Sequence, residues 1–167
     1  VTSASWTHGT ISDGAHTWRV DSTNGDLTTT GTTWSFTIDI VAPSAAYGGQ
    51  TPTAGASTMD FTINYTDATS GLNAGTFDSS DITVTGPGNY TANASFVSAT
   101  PSGNGSPRTV TYRIDAPGGS WNLSDNGTYT ISQNANQVKD VAGNARASGT
   151  IGTFSAAIPF AWQSGDR

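Results

Sequence analysis

Asp13, Asp39, Asp67, Asp140 and Asn144 are the side chains best suited to chemistry in this sequence, as oxygen donors around a hard cation. Crowded carboxylates repel one another, and a divalent ion taking about six to eight oxygen ligands neutralises them. Calcium suits such a set better than zinc. The chain has no cysteine, and its two histidines, His8 and His16, stand in the wrong pattern, with His16 on the inward set of a strand beside Trp18. Aspartate before or within a turn also caps backbone amides without any metal. Each acid therefore has two readings, and the elements that carry the five residues decide whether they meet.

Other constellations are weaker. Asp67, Asp78 and Asp81 would have to form a carboxylate pair about 5–10 Å apart across a cleft to act on a glycosidic bond. With no glutamate in the chain and little room for a walled cleft, they read as turn aspartates. No Gly-x-Ser-x-Gly elbow accompanies either histidine, which argues against a serine hydrolase and, with the rest, against an enzyme. Five tryptophans raise a sugar-stacking platform of the carbohydrate-binding kind. Trp18 and Trp34 fall on inward alternation and are expected in a core. Trp6 and Trp162 have no assigned place. Trp121, after Pro117-Gly-Gly-Ser, is a weak ligand-binding candidate whose other role is to plug one end of a sandwich.

Composition bounds the class. The 167 residues carry twelve acidic side chains, all Asp, against six basic ones, for a net charge of −6, which disfavours a nucleic-acid partner. There are 20 Ser, 28 Thr, 11 Asn and 20 Gly, residues of turns and solvent-facing strand positions, while Glu is absent and Lys139 is the single lysine, so no stretch favours a long helix. No apolar run is long enough to span a membrane, and the opening at Val1 reads as a processed or excised segment. The Asn-x-Ser/Thr sequons at Asn64, Asn89, Asn93, Asn104, Asn122 and Asn126 exceed chance only modestly in so Ser/Thr-rich a chain, and glycosylation is not inferred.

Period-two alternation dominates, as in Met59, Phe61, Ile63, Tyr65 and in Val110, Tyr112, Ile114. It predicts about seven strands, near 44–50, 58–65, 81–85, 90–99, 108–115, 127–133 and 150–158, enough for one immunoglobulin-like β-sandwich over 41–158. Residues 1–40 offer strands only near 3–10, 15–20 and 33–39, too few to bury two sheet faces. They read as the C-terminal half of a preceding unit, with 159–167 as a tail or linker. An internal repeat supports this: Asp13-Gly-Ala-His-Thr-Trp-Arg-Val matches Asp125-Asn-Gly-Thr-Tyr-Thr-Ile, and Trp34-Ser-Phe-Thr-Ile-Asp39 matches Gly152-Thr-Phe-Ser-Ala-Ala157. Tyr129 is placed for a tyrosine-corner hydrogen bond.

On these residues, with the Asp140-Val-Ala-Gly-Asn144 loop and the Asp39-Ile-Val-Ala-Pro43 linker, the chain resembles the bacterial Ig-like repeats of large adhesins and other exported multidomain surface proteins. The resemblance implies an extracellular, non-enzymatic structural or adhesive role, with neighbouring Ig-like domains as partners. Strand adjacency in such a sandwich brings Asp13 and Asp39 to one pole, where the next unit presents Asp67, Asp140 and Asn144. A calcium-rigidified junction is the expectation there; after the full domain it is doubtful, because Ala157 stands where Asp39 predicts an acid. Two alternatives remain open: identical subunits joined head to tail into a filament by strand exchange, or an accessory module binding glycans.

Overall fold

The computed structural model describes residues 9–160. The chain begins as a narrow ribbon: β1 (Gly14–Trp18) pairs antiparallel with β4 (Trp34–Ile38), and between them β2 (Ser22–Thr23) and β3 (Thr28–Thr29) form a small second pair. After the linker come β5 (Ser44–Tyr47), β6 (Thr58–Thr66), β7 (Ile82–Gly86), β8 (Tyr90–Asn93), β9 (Ser95–Thr100), β10 (Arg108–Asp115), β11 (Gly127–Gln133) and β12 (Gly149–Ala156). They build two four-stranded antiparallel sheets, ordered β5-β6-β10-β9 and β12-β11-β7-β8. The protein is all-β, with its longest strands in two facing sheets.

Alternation makes the interior. On β6, Met59, Phe61, Ile63 and Tyr65 point inward while Asp60 and Asn64 face solvent; on β10, Val110, Tyr112 and Ile114 do the same. The facing sheet supplies Val84, Tyr129, Ile131 and Phe154. Each such side chain, removed from water, contributes roughly 1.5–3 kcal/mol, which a sandwich can collect on both inner faces and a lone ribbon cannot. Polar bonds cross the same core: Tyr65 donates to Gln133 Oε1 at 2.8 Å and Tyr112 to Asp81 Oδ2 at 2.6 Å.

Three expectations change. The single strand expected over 90–99 is two strands in opposite sheets, β8 on β7 and β9 on β10. The break is at Ala94, fully buried, whose N–H makes a last bond to β7, donating to Ile82 O at 2.9 Å, before the chain crosses to the other sheet. Trp18 and Trp34, expected in a core, are 52% and 58% exposed, because no second sheet covers the ribbon among the described residues. Trp121 is 1% exposed and packs edge-on against Tyr129 and Phe154, so it plugs the sandwich and presents no ring face to a glycan. Tyr129 forms the corner bond, its hydroxyl donating to Asp125 O at 3.0 Å. The strand expected at 3–10 falls almost wholly, and His8, Trp6 and Trp162 entirely, outside the described residues.

Candidate metal centre at the junction

Four segments deliver the acidic cluster. Asp13 immediately precedes β1 and Asp39 immediately follows β4, so antiparallel pairing of Gly14 with Ile38 brings them to the same end of the ribbon. Asp67 follows β6, and Asp140 and Asn144 close a loop between β11 and β12. Three loops of the sandwich are tied to one another beneath the cluster. Leu72, fully buried, bridges to Gly105 and Asp140, Asn73 N–H donates to Lys139 O at 3.0 Å, and Val141 N–H donates to Gly71 O at 2.8 Å.

Local chemistry shapes each carboxylate. Asp67 Oδ1 accepts three backbone N–H groups, from Thr69 at 3.2 Å, Ser70 at 3.0 Å and Gly71 at 2.7 Å. That tight wrap needs Gly71 at φ +77°, where an added Cβ would sit 2.9 Å from Gly105 Cα. Asp140, fully buried, accepts from the Asn144 backbone and side chain, both at 2.8 Å. The same Asn144 amide reaches across to Asp39 O at 3.0 Å. Asp39 accepts Val41 N–H at 3.1 Å on one oxygen and Ser70 N–H at 3.0 Å on the other, and Asp13 accepts Ile40 N–H at 3.0 Å and the Thr69 hydroxyl at 2.9 Å. Burial pushes Asp39 upward, but the hydrogen bonds from Ser70 and Val41 outweigh it and hold its carboxyl below the ordinary value.

Three of the five expected ligands come together as a carboxylate cluster, Asp39, Asp67 and Asp140, while Asp13 and Asn144 border it through their hydrogen bonds to Ile40 and Thr69 and to Asp140 and Asp39 O. One oxygen each from Asp39, Asp67 and Asp140 lies within 4.8 Å of the others. At an effective dielectric of about 20, each pair of charges at this distance repels by roughly 3 kcal/mol. Among the described residues the ion pairs are Arg19–Asp21 and Arg113–Asp60, and neither reaches the cluster. Asp67 Oδ2 is buried and has no hydrogen-bond partner, leaving a lone pair in the interior of the junction for which the protein itself provides no donor.

Elsewhere the acids have structural duties. Asp78 N–H donates to Asp81 Oδ2 at 2.9 Å inside one turn, Asp78 Oδ1 accepts from Ser80, and Asp81 is fully buried, while Asp67 belongs to the junction. The part of Thr69 and Ser70 is not legible in the sequence, because they act through backbone N–H groups common to almost every residue; the only signal is the Asp67-to-Gly71 spacing of a turn. The motif match pairs Asp13 with Asp125. By hydrogen bonding the counterpart is Asn126, whose Oδ1 accepts Ile158 N–H at 2.6 Å as Asp13 accepts Ile40 N–H. Ala157 then stands in the place of Asp39, so the far end of the sandwich has neutral residues at both positions.

The chain matches no protein-family model, no curated protein and no solved structure.

Proposed function

We propose that this chain is a non-enzymatic, structural or adhesive Ig-like repeat of a secreted bacterial surface protein, whose junction with the preceding unit is stiffened by calcium. The strand order supports the Ig-like reading. Lettered in sequence, β5 to β12 give sheets A-B-E-D and G-F-C-C′, the immunoglobulin arrangement with one added edge strand. The single observation carrying the calcium reading is the trio Asp39, Asp67 and Asp140, contributed from both sides of the linker, with Asp67 Oδ2 buried and unpartnered.

A cation bound there supplies charge neutralisation, and the chain's own residues do the rest. Asn144 and Asp13 orient the ligands, Asn144 by holding Asp140 and Asp39 O together and Asp13 by clamping Ile40. Because the ligands come from both units, occupancy opposes bending at 40–43 and makes a stiff spacer of two linked domains. In a long extracellular protein that stiffness projects whatever lies beyond.

The test is calorimetric titration of the chain with calcium beside thermal unfolding. At a hundredfold excess over Kd, binding stabilises the native state by about 2.7 kcal/mol, or about 5–10 °C in Tm for a chain of this size. Asp39→Asn and Asp67→Asn, which keep the shape of the side chain, are expected to abolish both the heat and the shift. Absence of calcium-dependent heat and of any rise in Tm in the wild-type chain would sink the reading.

A further inference from the structure

The ribbon repeats the last hairpin of the sandwich residue for residue. Gly14 pairs with Ile38, His16 with Phe36 and Trp18 with Trp34; Gly127 pairs with Ala156, Tyr129 with Phe154 and Ile131 with Gly152. Gly14 and Gly127 both hold positive φ, at +111° and +144°. His16 stacks on Phe36 at 5.5 Å and 28°, as Tyr129 stacks on Phe154 at 4.8 Å and 5°. In both hairpins an Asx side chain before the first strand accepts the N–H of a residue beyond the second, Asp13 from Ile40 and Asn126 from Ile158. Tyr129, Ile131 and Phe154 are core residues, whereas Trp18, Trp34 and Phe36 are 52%, 58% and 39% exposed.

We infer that the β1–β4 ribbon is the closing hairpin of a second sandwich, and that its aromatic face is an interior surface for the sheet of another unit built like β5-β6-β10 but with a small residue where this chain has Tyr47. The position of Trp34 requires that small residue. Its counterpart, Gly152, is so close to β5 that an added Cβ would lie 2.8 Å from Tyr47 Cβ. A tryptophan there cannot be packed against this chain's own sheet, so a second copy is a poor occupant and exchange of identical sandwiches is excluded on steric grounds. Among the described residues β1 pairs with β4 alone, and its other edge stands where β11 pairs with β7. None of this depends on calcium, and it would stand if the acidic junction bound nothing.

The test places residues 41–116, which carry β5 to β10, ahead of Val1 of the intact 167-residue chain, once unaltered and once with Tyr47→Gly in the added copy. Trp6→Phe and Trp162→Phe leave Trp18 and Trp34 as the quenchable reporters, since Trp121 is buried. Acrylamide quenching is expected to fall several-fold in the Tyr47→Gly tandem, with a second cooperative unfolding transition, and to stay at the single-chain level in the unaltered one. Trp34→Gly in the ribbon of the unaltered tandem should restore protection of Trp18, which guards against a failure to fold caused by Tyr47→Gly itself. Free quenching in both altered tandems overturns the inference, and equal protection in the unaltered tandem overturns the exclusion of the chain's own sheet. Sedimentation of the single chain from micromolar to millimolar concentration should show monomers; a dimer abolished by Trp34→Asp, or an oligosaccharide whose binding to the single chain is abolished by Trp18→Ala, overturns it by giving the face another occupant.

Discussion

The Tyr112 hydroxyl donates to Asp81 Oδ2 at 2.6 Å in the middle of the sandwich, joining the sheet that holds β10 to the turn that starts β7. Burial pushes the Asp81 carboxyl up to about 6, against the opposing pull of the bonds from Tyr112 and the Asp78 backbone, and Asp81 Oδ1 has no partner at all. The folded state therefore holds this proton more tightly than the unfolded chain, whose Asp titrates near 3.8. Stability from this group is complete below about 4 and is lost as pH rises through about 6. After discounting for residual screening, the loss is on the order of 2 kcal/mol. Asp39, Asp60 and Asp78 are lowered instead and act in the opposite sense, but only below the ordinary carboxylate range. Urea unfolding between about pH 4 and 7 should show stability falling in the wild type and a flatter profile in Asp81→Asn.

Tyr129 does two separable jobs. Its ring stacks on Phe154 and meets Trp121 edge-on at 5.3 Å, while its hydroxyl satisfies Asp125 O. Tyr129→Phe keeps the first and loses the second, and is expected to cost about 1 kcal/mol. Tyr129→Ala removes both and should cost about 3–5 kcal/mol. Urea midpoints at constant m-value separate the two.

At the junction, the Asn126 counterpart indicates which changes Asp13 tolerates. An amide already accepts the equivalent N–H at Ile158, so Asp13→Asn should preserve the clamp on Ile40, whereas Asp13→Ala should release it at a cost of about 1 kcal/mol. Hydrogen exchange at the Ile40 amide reads the difference: protected in wild type and Asp13→Asn, fast in Asp13→Ala.

Gly71→Ala tests the cradle around Asp67 without touching a carboxylate. A methyl group at φ +77°, aimed at the Gly105 backbone, forces the 69–71 turn open and should destabilise the chain by about 1–3 kcal/mol. Calcium affinity is expected to fall with it, because Asp67 loses the three donors that aim its free oxygen. Affinity equal to wild type in a folded Gly71→Ala chain would remove Asp67 from the site.

Most strand positions, and the approach of Asp13 to Asp39 at one end of the ribbon, are legible in the sequence for local reasons. Inward alternation at 59–65, 110–114 and 127–133 is written one residue at a time, and antiparallel pairing of the strands after Asp13 and before Asp39 makes those two acids neighbours whatever else happens. Tertiary structure alone decided the rest. Alternation tells which side of a strand is apolar but not whether anything covers it, so Trp18 and Trp34 carry the pattern of a core and stand in solvent, while Trp121, in a loop without alternation, is buried. The crossing at Ala94, the isolation of Asp81 and the unpartnered Asp67 oxygen likewise depend on how two sheets and three loops are stacked, a relation between residues distant in the chain that no local spacing encodes.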